Sequence, residues 1–293
     1  MGYVFTRTPK LDVGYLEWNP AGKRCAILLH GWPDSAETWR DVGAALAKEA
    51  YRVIAPALRG YSPTRFRDAK TPRTGQLAAL GRDAIELIEA LRVEKPVLVG
   101  HDWGARAAAN ACGLEPGIAS HLVMVSVGYG TNDPAQKISY SQAHEYWYHW
   151  FMATERGAKA VRDDRRAFTR YMWDNWGPSA WITGAAFDEA ARAFDNPDWA
   201  DVVLHCYRHR WGHAPGDPDY AADDAKLTPA PVLSVPTLVL HGSADKVNLP
   251  ASSEGRERFF SGRYERVLLE GLGHFPQREN AAAVSSRILQ FMA

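Results

Sequence analysis

Three residues stand where they can do nucleophilic chemistry: Asp102, Asp245 and His274. Asp102 is the centre of Gly100-His101-Asp102-Trp103-Gly104, a G-x-Nu-x-G turn that normally presents a serine. A carboxylate is ionised at neutral pH and needs no base to activate it. It suits an ester or amide carbonyl poorly, because attack there gives a reactive anhydride. It suits a saturated carbon that carries a leaving group, where displacement leaves an alkyl ester on Asp102. A histidine oriented by a second carboxylate can then deprotonate water, which attacks the ester carbonyl. His274, in Gly271-Leu272-Gly273-His274-Phe275, and Asp245, in His241-Gly242-Ser243-Ala244-Asp245, supply that pair. The histidine acts in the second step, and the scheme needs no metal and no organic cofactor.

Such a turn needs a strand before it, a helix after it and small residues where the two nearly touch. Pro96–Gly100 reads as the strand and Gly104–Leu114 as the helix, with Gly100, Gly104 and Ala105 as the small residues. Further strands are expected at Tyr3–Arg7, Leu11–Trp18, Cys25–Gly31, Tyr51–Leu58, His121–Val127, Thr237–Gly242 and Tyr264–Glu270. A helix is expected after Pro33, capped by Asp34 with Glu37 completing a capping box. Others are expected at Thr74–Leu91, where apolar residues recur at i, i+3 and i+4, at Pro250–Phe260 and at Ala281–Phe291. This alternation implies a mostly parallel sheet with helices on both faces. Asp245 then follows the next-to-last strand and His274 the last. The loop His30-Gly31-Trp32-Pro33 follows the third strand, so Trp32 and Trp103 are the expected oxyanion-hole N–H donors. The Trp32–Pro33 bond is a candidate for the cis form.

From about residue 129 to 236 the alternation stops. The segment is helical in character and holds seven of the eleven tryptophans: Trp147, Trp150, Trp173, Trp176, Trp181, Trp199 and Trp211. A structureless loop of that length is rare. The expectation is a core of residues 1–128 and 237–293 and a helical cap, 129–236, inserted after the sixth strand over the active site. Most of the tryptophans are expected to pack the cap onto the body. His205, His209 and His213 repeat at i, i+4, which reads as a solvated face in preference to a metal face.

The 293 residues are 46% apolar and 23% charged, enough for a sizeable core, and the formal net charge is zero. Nothing in that balance favours nucleic acid or an anionic membrane. Cys25, Cys112 and Cys206 are few and scattered, as in a reducing cytoplasm. The opening residues do not read as an apolar leader, and no membrane-spanning run is expected in these residues. "MGYVFT" also fits the loose N-myristoylation pattern, but reads more simply as part of a first strand. The expected partner is a small-molecule substrate, with a homodimer left open and a cytoplasmic location.

The order nucleophile, acid, histidine, together with His30-Gly31-Trp32-Pro33, the loop Pro56–Ser62 and Gly-His-Asp-Trp-Gly-Ala, resembles the α/β-hydrolase epoxide hydrolases. The resemblance covers nearly the whole chain outside the cap and points to the aspartate-nucleophile branch, which also holds dehalogenases. It implies the α/β-hydrolase fold and, for an epoxide, two cap tyrosines as acid donors. Tyr207, in Val203–Gly212, matches the second tyrosine, and Val203, Leu204 and Trp211 share its helix face. The first is expected in His144–Gly157, where the best alignment puts His149, with Trp150 beside it; Tyr146 and Tyr148 lie near. A histidinium there could protonate an alkoxide. The set His149, Trp150 and Tyr207 is also similar to the halide pocket of fluoroacetate dehalogenases, and Arg106 matches one of their two carboxylate-binding arginines. Trp103 stands at the place of the other, and Val125-Ser126-Val127 at the place of their acid. Asp102-Trp103 is shared with haloalkane dehalogenases. Epoxide hydrolysis is thus the first expectation and dehalogenation the second. A ligand-binding relative without turnover would not need Asp102, Asp245 and His274 together.

Overall fold

The apolar runs pair into one sheet in the computed structural model, which describes residues 2–133, 136–178 and 183–293. In chain order the strands are β1 (Val4–Arg7), β2 (Leu11–Trp18), β3 (Arg24–Leu29), β4 (Tyr51–Pro56), β5 (Arg65–Phe66), β6 (Val97–His101), β7 (His121–Val125), β8 (Thr237–Gly242) and β9 (Tyr264–Leu269). They lie in the order β1-β2-β4-β3-β6-β7-β8-β9, with β5 on β2. Pairing is parallel from β4 through β9, and antiparallel wherever β2 takes part. Central parallel strands are covered on both faces, so Ile27, Leu28, Leu98, Val99, Leu122 and Val123 are fully enclosed.

The body helices that follow the early strands are α1 (Arg40–Lys48), α2 (Leu77–Ala90) and α3 (Trp103–Leu114). Between β7 and β8 run α4 (Tyr140–Glu145), α5 (Trp147–Ala153), α6 (Glu155–Asp163), α7 (Arg165–Trp176), α8 (Gly184–Ala191), α9 (Trp199–Arg210) and α10 (Ala221–Leu227). The chain closes with α11 (Pro276–Glu279) and α12 (Ala281–Met292). α1 and α12 pack their apolar stripes on one sheet face. α2 and α3 cover the other, where the core continues without a break into the inserted helices through Tyr148, Met172, Trp173, Phe194 and Tyr207. Among the described residues no helix is long and apolar enough to cross a membrane.

Several details differ from expectation. The two-residue β5 makes the helical insertion follow the seventh strand, not the sixth. Asp34 caps nothing: it is buried, and its carboxylate takes a bidentate pair from Arg278 at 2.6 and 2.8 Å. The helix starts instead as a 3-10 turn, Ala36–Trp39, that leads into α1. Pro250–Phe260 is two short 3-10 turns, because Gly255 between them has φ +65° and breaks the helical path. His205 is half-buried: its Nδ1 accepts from the Gly75 N–H at 3.1 Å and its Nε2 donates to the Pro215 carbonyl at 3.0 Å, whereas His213 is exposed as expected. Trp173, Trp176 and Trp199 are buried in the seam, whereas Trp147 and Trp150 are 39% and 37% exposed. Trp181 lies outside the described residues.

A charged tie also joins body to insertion. Arg59, fully buried, grips Asp83 with two contacts of 2.6 Å and reaches Tyr220 Oη at 3.0 Å. A bidentate, fully hydrogen-bonded pair of this kind fixes geometry as well as charge.

Candidate active site

Asp102 ends β6 and opens α3 in a conformation that side chains rarely adopt, φ +49° and ψ −112°. Holding it there costs on the order of 1–3 kcal/mol, which the surroundings must offset. They do so by close backbone packing. A Cβ on Gly104 would sit 2.1 Å from the Leu29 carbonyl oxygen, and one on Gly31 would sit 2.5 Å from Asp102 Cβ. Strand, helix and the loop after β3 therefore meet through glycines, and the carboxylate projects over the sheet's carboxyl end.

The two oxygens of Asp102 have different surroundings. Oδ1 accepts from the Trp32 backbone N–H at 3.1 Å. Trp103 is the first residue of α3, so its N–H has no acceptor within the helix. Oδ2 lies 4.0 Å from His274 Nε2, beyond hydrogen-bond range. On the far side His274 Nδ1 is 2.9 Å from Asp245 Oδ2, and Asp245 Oδ1 accepts from the Val247 and Asn248 N–H groups. A ring nitrogen bonded to a carboxylate donates, so in neutral His274 the free lone pair is on Nε2, toward Asp102. The Trp32–Pro33 bond is cis.

Burial alone would lower the His274 pKa, but the charge and hydrogen bond of Asp245, with the charge of Asp102 behind them, raise it. Burial would raise the Asp245 pKa, yet His274 and His241 hold it well below the usual carboxylate range. Sequence reading missed how the His274 loop is held. His101 Nε2 donates to the His274 carbonyl at 2.7 Å and Ser126 Oγ donates to it at 3.0 Å. The His274 N–H donates to the Trp176 carbonyl at 3.1 Å, and Glu279 accepts the N–H of Phe275. Burial, with the nearby His274, pushes the His101 pKa down to about 4, so this buried ring is neutral. The motif signal was present: His101 precedes Asp102, and Ser126 directly follows the neighbouring strand β7.

The inserted helices bring two phenols over Asp102. Tyr207, on α9, packs at 5.4 Å from the Trp103 ring and 5.3 Å from the Trp32 ring. Tyr148, on α5, stacks on Trp32 at 5.3 Å and its ring lies 5.5 Å from that of Tyr207. Burial pushes both phenols well above their usual pKa, and the Asp102 charge adds to it. Both stay protonated donors at neutral pH.

Two expected contributors, His149 and Trp150, are placed differently, and a third, Arg106, is held by neutral partners. His149 is not a histidinium: burial first, then the charges of Arg210 and Arg106, push its pKa far down. Its Nδ1 accepts from the Trp211 indole N–H at 3.1 Å. Trp150 faces outward, tilted against Trp211 at 4.8 Å, with its indole N–H donated to the Ala143 carbonyl at 3.0 Å, so that N–H does not serve a leaving group. Arg106 is buried and held by Thr131 Oγ1 and Asn132 Oδ1, both at 2.7 Å. Tyr146 is turned to Asn248 Oδ1 at 2.6 Å, which leaves Tyr148 as the second phenol near Tyr207, whose ring also meets that of His149 at 4.5 Å. Among the described residues no three His, Cys, Asp or Glu side chains are grouped to hold a metal.

A parallel sheet, an aspartate elbow and an acid and histidine after the last two strands define an enzyme of the hydrolase class, and the chain belongs to the alpha/beta hydrolase fold family, whose model matches residues 27–281. Within that family it resembles epoxide hydrolases. It is 27% identical to epoxide hydrolase A of Mycobacterium tuberculosis over 94% of this chain and 92% of that one. It superposes on a candidate epoxide hydrolase of Klebsiella pneumoniae with a TM-score of 0.92 and 33% identity, covering 99% of this chain and 96% of the other. It shares its fold with potato (Solanum tuberosum) epoxide hydrolase I, at a TM-score of 0.78, 23% identity and coverage of 99% and 98%.

Proposed function

We propose that the protein hydrolyses epoxides to vicinal diols through a covalent ester on Asp102. The observation that carries this reading is the pair Tyr148 and Tyr207, two protonated phenols held together above the carboxylate. An epoxide opens to an alkoxide, which must be protonated; a halide leaves as a stable anion and needs no acid. Asp102 Oδ2 attacks an oxirane carbon, the C–O bond breaks, and a tyrosine proton passes to the departing oxygen. Oδ1, already on the Trp32 N–H, becomes the ester carbonyl. His274 Nε2 then takes a proton from water, the hydroxide adds to Asp102 Cγ, and the Trp32 and Trp103 N–H groups stabilise the oxyanion. Collapse frees the diol and restores the carboxylate, and the proton on His274 returns to the tyrosinate through solvent. The names of the relatives agree with this substrate class. The halide-binding set of His149, Trp150 and Tyr207 is not assembled, because Trp150 faces outward.

The test is a comparison of products. With a panel of aryl and alkyl epoxides the enzyme is expected to release diol, and with matched chloro- and bromoalkanes no halide. Halide release without diol from any epoxide would reverse the assignment.

Esterification also changes the electrostatics of the base. The Asp102 charge helps to raise the His274 pKa in the resting enzyme, and the ester removes that charge. The pKa of His274 in the ester must therefore be lower than in the free enzyme, which makes the neutral, proton-accepting ring more populated at the moment it is needed. The rate of ester hydrolysis is expected to rise with pH and level off at a pKa below the one found for resting His274 by NMR titration. Equal values would remove Asp102 from the groups that control the base.

A further inference from the structure

The loop that carries Asp245 is gripped by side chains from the inserted helices. Residues 247–249 belong to no strand or helix, so their backbone groups need other partners. The Val247 and Asn248 N–H groups both donate to Asp245 Oδ1, at 2.7 and 3.2 Å, and the same carboxylate meets His274 Nδ1 at 2.9 Å through Oδ2. The next groups are met from outside the loop. Gln142, on α4, donates Nε2 to the Val247 carbonyl at 2.6 Å and accepts the Leu249 N–H on Oε1 at 2.9 Å. Its side-chain amide stands where a peptide group of a neighbouring strand would stand, and the two contacts fix which end is which. One turn further, Tyr146 donates its hydroxyl to Asn248 Oδ1 at 2.6 Å. The Ser126 carbonyl can only accept, and it takes Asn248 Nδ2 at 2.9 Å, so the amide oxygen must face Tyr146. From the body, His241 donates to the Asn248 carbonyl at 2.7 Å.

Gln142 and Tyr146 lie four residues apart on one helical face, the Tyr146 N–H donating to the Gln142 carbonyl at 3.1 Å. Gln142, Tyr146 and Asn248 are all more than nine-tenths buried, so water does not readily replace a lost partner. Removal of either side chain leaves buried polar groups of the loop unmet, or makes the loop move to meet them elsewhere. The two N–H groups on Asp245 then move with it.

We infer that Gln142 and Tyr146 are positioning residues for His274: by fixing residues 247–249 they fix the N–H groups that aim the Asp245 carboxylate at the imidazole. Both act through Asp245. The kinetic consequence rests on the epoxide reading above. His274 works on the ester only, so its misplacement slows ester hydrolysis and leaves ester formation alone. The seating of the inserted helices thus governs both steps. Tyr148, two residues beyond Tyr146, serves the first, and Gln142 and Tyr146 serve the second.

The test uses two variants. Tyr146→Phe keeps the ring that stacks on His149 at 4.3 Å and lies under Arg210 at 5.2 Å, and removes only the hydroxyl. Gln142→Met keeps the length and removes both hydrogen bonds. Rapid-quench mass spectrometry with an epoxide reads the two steps separately. Ester hydrolysis is expected to slow by about tenfold or more, the scale of a small displacement of a catalytic group, with ester formation as in wild type, so that the ester accumulates. A second readout needs no substrate. Burial lowers the His274 pKa, while Asp245 first, then Asp102 and Glu279, raise it; the adjoining His101 ring is neutral. A displaced Asp245 raises it less, so NMR titration of the free variants is expected to give a lower His274 pKa than wild type. If Gln142→Met does not fold, Tyr146→Phe carries both readouts. A merely fastening role would slow ester formation as well, since Tyr148 would shift with the helices, and would leave the His274 pKa in place. That pattern, or wild-type hydrolysis with an unchanged pKa, overturns the inference. If wild-type enzyme turns over no epoxide and none labels the His274→Gln protein, the epoxide reading fails instead. The titration then decides the clamp by itself: a lowered pKa supports it and an unchanged one overturns it.

Discussion

Protein carrying His274→Gln is expected to gain the mass of one epoxide molecule and to keep it. The attack by Asp102 Oδ2 does not use the histidine, which is 4.0 Å away and beyond a hydrogen bond. Ester hydrolysis does, because it needs a lone pair at Nε2, and loss of a general base slows such a step by about 10²- to 10⁴-fold. The loop survives the change, since its anchors from His101, Ser126 and Trp176 are to the backbone of residue 274. A glutamine amide can still donate to Asp245. Intact-protein mass spectrometry after mixing with an epoxide reads the outcome, and peptide mapping should place the adduct on Asp102. Turnover lost without any adduct would mean that water attacks the epoxide directly, with His274 as base and Asp102 in another role. An adduct that also forms on Asp102→Asn would put the nucleophile elsewhere.

The second large effect concerns the acid. Tyr148→Phe and Tyr207→Phe are each expected to slow ring opening by about 10²-fold, and the double variant by more than either. Phenylalanine keeps the stack of residue 148 on Trp32, so what is lost is the hydroxyl. The loss should fall on ester formation in pre-steady-state traces, while hydrolysis of an ester once formed changes little. That split separates an acid donor from a packing residue. If Tyr207→Phe alone is crippled and Tyr148→Phe behaves as wild type, the second donor is another group, and His149, with its unpartnered Nε2–H, is the next candidate.

The body of the molecule could be read from the chain because each of its signals is local. An apolar run ending in glycine makes a buried strand, and glycines at 100 and 104 are required where β6, α3 and the loop after β3 touch. The positions of Asp245 and His274 follow from the strands that precede them. The cap resisted for an equally physical reason. In His144–Met152 almost every residue is apolar or aromatic, so hydrophobicity has no phase around the helix. Alignment put His149 at the acid position, whereas the fold turns Tyr148 and Met152 inward and leaves Trp147 and Trp150 half exposed. That phase is set by packing against Trp32 and Trp176, residues far away in sequence. Asp34 failed similarly: its sequence neighbourhood fits a helix cap, but its partner, Arg278, is 244 positions away.

The aromatic seam has a consequence for how such an enzyme changes over time. The Trp32 backbone N–H meets Asp102 Oδ1, while its ring bears the stacked Tyr148 and the edge of Tyr207. The same rings that join the inserted helices to the body therefore also place the two phenols proposed as acids. A mutation that reshapes the pocket here also alters the fit of the two layers, and a mutation that loosens the layers also displaces the phenols. New substrates are then reached more readily through residues outside the seam than through the seam itself. Heritable variation in specificity should concentrate where stability is least at stake.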